Sequence, residues 1–234
     1  MRRRQGRPPS ALPWLTLTLF GLVVLGVGIP LASDAAETTT YTVPAAELTV
    51  ARAALDGLPV KGRAPATGYS REQFGQAWAD VDRNGCDTRN DVLRRDLTAV
   101  VLKPGTNGCV VLTGTLADPY SGTAIRFARG EHSDAVQIDH VVALSEAWQT
   151  GAQQLSAEQR QSLANDPANL LAVDGPLNQE KGAADAATWL PPNKGFRCAY
   201  VMRQVTVKAA YRLWVTPAEH DAIERQLDGC VTSD

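Results

Sequence analysis

The sequence lacks the compact motifs that mark several common classes of hydrolase. It has no His-Glu-x-x-His segment and no cluster of cysteines and histidines, which argues against a zinc hydrolase. It has no Gly-x-Ser-x-Gly segment, which argues against a serine hydrolase with a nucleophile elbow. No internal repeat is evident, and no separate recognition domain can be distinguished.

An excess of positive charge is also missing. The 234 residues carry 23 lysines and arginines against 25 aspartates and glutamates, a net charge of −2. Residues 1–36 contain four arginines and one aspartate, so the remainder has 19 positive and 24 negative side chains, or −5. This balance argues against tight, non-specific coating of DNA, which needs a broadly basic surface. It leaves room for a groove with a few local cations.

The four cysteines, Cys86, Cys109, Cys198 and Cys230, include no Cys-x-x-Cys pair and all follow the first 36 residues. In an exported chain this usage favours disulfides over a zinc site. Four cysteines allow three pairings. The arrangement of the predicted elements favours Cys86 with Cys109 and Cys198 with Cys230.

The N-terminus indicates export. Residues 1–36 open with arginines and continue into an apolar run over 14–32, which predicts a secretory signal peptide. The run is nearly long enough to cross a bilayer, so an uncleaved membrane anchor is the alternative. Residues 37–44 are predicted to be a flexible tether and 45–234 to form one domain. The domain is expected to be secreted, or held outside the membrane by the anchor.

The first part of the domain is predicted to be helical. Apolar residues at helical spacing predict a helix over 45–58. A second helix is predicted to begin at Ser70, because Ser70 and Gln73 form a capping-box pattern, and to bury Phe74 and Trp78.

An acidic segment over 80–91 suggests a calcium loop, but its spacing does not match an EF-hand. We interpret it as a turn at 84–85, followed by an N-cap at Asp87 or Thr88 of a helix through Asp96.

The rest of the domain alternates between strands and helices, which gives an α+β fold class. Runs rich in β-formers at 97–103, 109–117 and 123–128 are separated by turn signals and predict an antiparallel meander. Further strands are predicted at 136–142 and 170–173. Helices are predicted at 143–150, 156–165, 174–182 and 185–190, and a C-terminal helical hairpin at 197–214 and 216–227.

Polar residues suited to metal-assisted hydrolysis gather between the last two predicted strands and the helix that follows. Asp139 and His140 are adjacent at the end of one strand, and Asn169 precedes the next. Asn178 and Lys181 are three residues apart on the helix and so share a face. On a regular strand Asp139 and His140 would point to opposite faces, so joint action requires the strand to end or bulge there.

This order of strand, strand and helix resembles the HNH endonuclease superfamily and its ββα-metal (His-Me finger) motif. The resemblance is closest to the Asp-His…Asn…Asn variant of small secreted nucleases and of the C-terminal domain of GmrSD restriction enzymes. It spans roughly residues 69–230. The similar segments are GYSREQFG, DVDRNGCDTRND, DPYSG, IDHVVALSEAW, NDPANLLAVDGPLNQEKG and WLPP.

The resemblance implies a role for each polar residue. Asp139 and Asn178 would be ligands of one divalent metal ion, for which their oxygen donors favour Mg²⁺, with Mn²⁺ as the alternative. His140 would be the general base, because a neutral imidazole can take a proton from the attacking water. Asn169 would hold the loop and orient His140, and Lys181 would contact a neighbouring phosphate.

The expected function is a secreted, metal-dependent HNH endonuclease of low sequence specificity. Its substrate would be nucleic acid, with DNA favoured over RNA. The alternative is an exported binding or adhesion module on a catalytically inactive ββα scaffold, which the acidic balance favours slightly.

Overall fold

The computed structural model describes residues 41–233. Helices and strands are intermixed along this range, which confirms the predicted α+β class. The helices are α1 (Ala45–Gly57), α2 (Thr88–Asp96), α3 (Leu144–Gln149), α4 (Ala157–Asn165), α5 (Gly175–Lys181), α6 (Arg197–Ala210) and α7 (Pro217–Asp228). The strands are β1 (Val43–Pro44), β2 (Leu97–Leu102), β3 (Val111–Ala117), β4 (Ala124–Ala128), β5 (Val136–His140), β6 (Leu170–Asp174) and β7 (Thr232–Ser233).

The strands form three small sheets. Strands β2, β3 and β4 pair antiparallel in chain order, which confirms the predicted meander. Strands β5 and β6 pair antiparallel and lead directly into α5, which is the ββα unit expected from the sequence. Strand β1 pairs in parallel with β7.

Local sequence explains why α5 follows β6 without a loop. The side chain of Asp174 caps the helix by accepting a hydrogen bond from the backbone N–H of Leu177 at 2.8 Å, and Pro176 lies in the first turn. A side chain at Gly175 would collide with the carbonyl oxygen of Asp134. The turn from β6 into α5 therefore requires glycine at this position.

The ββα unit contributes to two of the three apolar clusters of the domain, and Val142, just after β5, belongs to the third. Leu171 packs with the helices α1, α6 and α7, and Val142 packs with α3 and α4. Ile138 and Leu170 pack with α2 and the meander. Because two clusters hold parts of the unit and the third holds the chain just after β5, the unit is fixed from several sides.

Both predicted disulfides are present. Cys86 and Cys109 join the loop before α2 to the start of the meander's central strand. Cys198 and Cys230 join the beginning of α6 to the residues after α7. Their sequence separations of 23 and 32 residues correspond to a stabilisation of about 3 kcal/mol each by restriction of the unfolded chain.

The predicted helix caps are mostly confirmed. Asp87 caps α2 by accepting from the N–H of Asn90 at 2.8 Å. Both capping boxes, at Ser156 in α4 and Thr216 in α7, form as the sequence indicates.

The helix predicted to begin at Ser70 is wrong. Only one 3₁₀ turn forms, over Arg71–Phe74, and the Ser70 side chain makes no capping hydrogen bond. Gly75 follows with φ of 75°, which ends the turn, and the chain then runs irregularly to Trp78, whose φ is 57°.

The described residues begin within the predicted tether. The last four residues of the predicted tether are described, and two of them form β1, where Val43 is buried. Tyr41 packs edge-on against Phe196. Residues 41–44 therefore contact the rest of the domain. The predicted signal peptide or anchor over 1–36 lies outside the described residues.

A buried charge cluster joins α3, α6 and α7. The Lys208 Nζ lies 2.6 Å from Glu146 Oε1 and 2.9 Å from Glu219 Oε1, and all three side chains are almost inaccessible to solvent. Burial raises the pKa of Glu219 from 4.5 to about 7, against the opposing effect of Lys208. One lysine thus serves two carboxylates.

We predict that this cluster makes stability depend on pH. The folded Glu219 binds its proton more tightly than the unfolded residue, so its stabilising effect is complete below the unfolded pKa of 4.5 and is lost as pH rises towards about 7. Glu219→Gln keeps a capping acceptor but cannot ionise. Wild type should therefore lose stability as pH rises from about 5 to about 8, and the variant should lose less. The difference in the free energy of unfolding, variant minus wild type, should increase over this range when it is measured in urea. The exposed Glu224→Gln on the same helix should show no such change, and an equal response in both variants would contradict the prediction.

Candidate active site

The candidate site is built around the last two residues of β5. Asp139 and His140 pair in regular register with Leu171 and Leu170, so their side chains leave opposite faces of the strand. The strand ends at His140, and a cavity of about 270 Å³ at this end is lined by Asp139, His140 and Asn178. The end of the strand therefore brings the residues together without a bulge.

Asp139 is held in a fixed orientation. The Tyr120 hydroxyl donates to Oδ2 at 2.5 Å, and the Lys181 Nζ donates to Oδ1 at 2.9 Å. The residue is 4% exposed. Because each carboxylate oxygen has more than one lone pair, both retain acceptor capacity at the cavity.

Lys181 lies beneath the site rather than at its surface. Its side chain is completely buried, and Nζ also donates to the backbone carbonyl of His140 at 2.8 Å. The resemblance implied a phosphate contact for Lys181, but its ammonium group lies against the carboxylate of Asp139. The burial of either charge alone would be strongly unfavourable, so the two residues depend on each other.

His140 is oriented by a contact with the backbone. Its Nε2 lies 2.8 Å from the carbonyl oxygen of Ala164. A carbonyl can only accept, so Nε2 carries the proton and Nδ1 keeps the lone pair. Burial lowers the pKa of His140 from 6.5 to about 4, although the Ala164 contact and the Asp139 charge oppose this shift. The imidazole is therefore neutral at pH 7.

Asn169 fixes the loop that follows β5. It is fully buried, its Oδ1 accepts from the N–H of Val142 at 2.8 Å, and its Nδ2 donates to the carbonyls of Val142 at 3.3 Å and Leu163 at 3.2 Å. Leu163 directly precedes Ala164, whose carbonyl holds His140. Asn169 therefore joins the loop after β5 to the end of α4.

Asn178 lies in α5 at the edge of the same cavity and is partly exposed. Its Nδ2 donates to Oε1 of Gln137 at 2.9 Å. Gln137 is two residues before Asp139 and so lies on the same face of β5. The contact engages the nitrogen of the Asn178 amide and leaves its oxygen as the acceptor.

The donor set fits a hard divalent ion. Asp139 and Asn178 offer a carboxylate and an amide oxygen, and Mg²⁺ is commonly held by one or two such groups with water and substrate oxygens. Within residues 41–233, a group of three acidic or imidazole side chains close enough to share an ion occurs at His220, Asp221 and Glu224. That group lies on α7 and does not line the cavity.

Several site residues were not found from the sequence. Tyr120 lies in a segment that we interpreted only as a turn, and Trp78 in a segment predicted to be helical. Arg71 is exposed and lines the cavity. Gln137 could have been predicted, because it is two residues from Asp139 on a predicted strand and so shares a face with it. Tyr120, Trp78 and Arg71 lie far from the ββα unit in sequence and gave no such signal.

We predict that Lys181→Met lowers the free energy of unfolding by about 3–5 kcal/mol, because it leaves the Asp139 charge buried and unpaired. The double variant Asp139→Asn/Lys181→Met should be less destabilised than Lys181→Met alone, since it removes that charge. Urea unfolding measures both. Lys194→Met, at an exposed lysine, is the control and should change stability by less than about 0.5 kcal/mol. Equal losses in the single and double variants would show that the pair is not coupled.

The domain has relatives but no match among solved structures. A protein of Arthroderma benhamiae described as an uncharacterized secreted protein is 39% identical over 211 residues, which cover 89% of this chain and 98% of the relative. No solved structure matches significantly. In the part from 41 to 233, none of the helices has the length and apolar character needed to cross a membrane.

The family comparison agrees with the geometry of the site. The family model for the C-terminal domain of GmrSD restriction endonucleases matches residues 87–226, more than half of the chain. The match includes the whole ββα unit and the residues Asp139, His140, Asn169, Asn178 and Lys181. The chain belongs to the family of GmrSD restriction endonuclease C-terminal domains, and its function is therefore related to that of nucleases.

Proposed function

We propose that this protein is a secreted, metal-dependent endonuclease that hydrolyses phosphodiester bonds in nucleic acid, with DNA as the main substrate. The observation that carries the proposal is the convergence of Asp139, His140 and Asn178 on one cavity. The neutral state of His140 and the proton on its Nε2 suit a general base that acts through Nδ1.

In the proposed reaction, Nδ1 of His140 accepts a proton from the water that attacks phosphorus. Asn169 and the Ala164 carbonyl keep the imidazole oriented during this transfer. Asp139 and Asn178 would hold one divalent ion, Mg²⁺ or alternatively Mn²⁺, which supplies Lewis-acid stabilisation of the pentacovalent phosphorane and the leaving oxygen.

Lys181 and Arg71 have different roles in this proposal. Lys181 fixes the carboxylate of Asp139 from below and is too deeply buried to reach solvent. Arg71 is exposed at the cavity and is therefore the better candidate for contact with a substrate phosphate. This assignment replaces the phosphate contact that the sequence suggested for Lys181.

Export is supported by independent features. The relative from Arthroderma benhamiae is described as secreted, and both disulfides suit an oxidising compartment. We propose that residues 1–36 act as a cleaved signal peptide.

The second candidate is an exported binding module that keeps the scaffold without cutting. The net charge of −5 after residue 36 favours it, because nucleic-acid enzymes commonly have basic surfaces. The oxygen donors of Asp139 and Asn178 lie at one cavity with a neutral His140, and this favours the nuclease. Binding alone would not require a general base beside metal ligands.

The test is cleavage of supercoiled plasmid and of RNA by the purified chain, with Mg²⁺, with Mn²⁺ and with a chelator. We expect metal-dependent cleavage that falls about 10²- to 10⁴-fold in His140→Ala, the contribution typical of a general base. His220→Ala is the matched control, because this histidine lies on α7 outside the cavity, and it should cut like wild type. Equal cleavage by wild type and His140→Ala, or no cleavage with either metal, would contradict the nuclease proposal.

A further inference from the structure

A second cavity lies beside His140. It has a volume of about 330 Å³, and its lining includes Phe74, Trp78, Leu144 and Asn165. Arg71, His140 and Leu144 line both this cavity and the one that contains Asp139. The two cavities therefore meet at the proposed general base. For clarity, the second one is called the aromatic cavity.

Asn165 gives the aromatic cavity a polar group without a partner. The residue is 1% exposed, and its Nδ2 donates to the carbonyl of Gln161 at 2.9 Å. Its Oδ1 is buried and has no hydrogen-bond partner among the described residues. An unpaired buried acceptor is unfavourable, so a movement of the Asn165 side chain that brought Oδ1 to the hydrogen-bond donor of a ligand would be favourable.

Trp78 supplies an aromatic surface in an unusual backbone conformation. Its φ of 57° lies in the left-handed region, which a bulky side chain adopts only when its surroundings impose it. The indole lies nearly parallel to the His140 imidazole, with ring centroids 6.1 Å apart and planes inclined by 17°. The strained residue thus places a flat apolar surface next to the proposed reacting group.

We propose that the aromatic cavity binds an unpaired nucleobase of the nucleotide next to the scissile phosphate. This inference rests on the proposed function and specifies its substrate class. The volume lies at the lower end of the range for small-molecule sites, which suits a single base. The base stacks on Trp78, as bases do on aromatic residues of proteins that bind single strands.

Asn165 then determines which form of nucleic acid fits. When the base enters, the Asn165 side chain turns so that its Oδ1, which is buried in the free protein, accepts from an N–H group on the Watson–Crick edge. In a duplex these donors are already paired and the base is stacked within the helix, so only an unpaired base can enter. The protein therefore prefers single-stranded or locally unpaired nucleic acid to an intact duplex. Arg71, at the junction of the cavities, contacts a backbone phosphate of the same nucleotide.

The first test measures binding without cleavage. A short labelled single-stranded DNA and the duplex of the same sequence are titrated into the full-length protein in chelator, and affinity is read from fluorescence anisotropy. Wild type should bind the single strand more tightly. Trp78→Ala should weaken single-strand binding on the order of 10-fold or more with little effect on the duplex, whereas Trp78→Phe should retain most of the affinity. Asn165→Leu should also weaken single-strand binding, and thermal unfolding of each variant checks that it is folded.

The second test compares cleavage. Trp78→Ala should lower the rate on single-stranded DNA relative to duplex, whereas His140→Ala should lower both rates equally. Tighter binding of duplex by wild type, or unchanged single-strand affinity in folded Trp78→Ala, would overturn the aromatic-cavity inference. Suppose instead that wild type fails to cut with either metal and still binds the single strand more tightly than the duplex. That result would contradict the nuclease proposal and leave the aromatic-cavity inference standing.

Discussion

The buried contact between Asp139 and Lys181 is the constraint on which the candidate site depends. Lys181 belongs to α5, Asp139 to β5, and Tyr120, which also donates to the carboxylate, to the turn after β3. A lone buried charge is strongly unfavourable, so the three elements cannot separate without a large loss of stability. The same contacts hold the carboxylate at the cavity. One interaction thus contributes both to the stability of the fold and to the orientation of the Asp139 carboxylate.

Successive side chains of a β-strand point to opposite faces, and this explains why Asp139 and His140 have different surroundings. Asp139 leaves one face of β5 and meets α5, where Asn178 and Lys181 lie. His140 leaves the other face and meets the end of α4 and Trp78. The two faces meet only because the strand ends at His140. In our account, the first face holds a metal ion and the second receives a base, with the imidazole between them.

The sequence predicted those parts of the structure that depend on local signals. The ββα unit, the caps at Asp87, Ser156 and Thr216, and both disulfides follow from periodicity, capping chemistry and the order of elements. The helix expected at Ser70 failed because Gly75, two residues beyond the capping box, ends the first turn in a left-handed conformation. A capping pattern specifies a beginning and says little about how far a helix continues.

The features that could not be predicted depend on long-range contacts. Lys181 has the spacing of an exposed helical lysine, and only the approach of Asp139 and the His140 carbonyl explains its burial. Tyr120 is remote in sequence from α5 yet contacts the same carboxylate. Trp78 reaches His140 only because its segment is irregular. Residues that complete a site from other parts of the chain carry no periodic signal of their own.

The central claim is that Asp139 and Asn178 together hold one divalent ion beside a neutral His140. Anomalous diffraction from crystals of the protein grown with Mn²⁺ tests it most directly. We expect one strong anomalous peak at coordination distance, about 2.1 Å for a site of the Mg²⁺ type, from a carboxylate oxygen of Asp139 and from Oδ1 of Asn178. Lys181 should remain buried against Asp139. A peak only at His220, Asp221 and Glu224, or no peak near Asp139 at saturating Mn²⁺, would contradict the account.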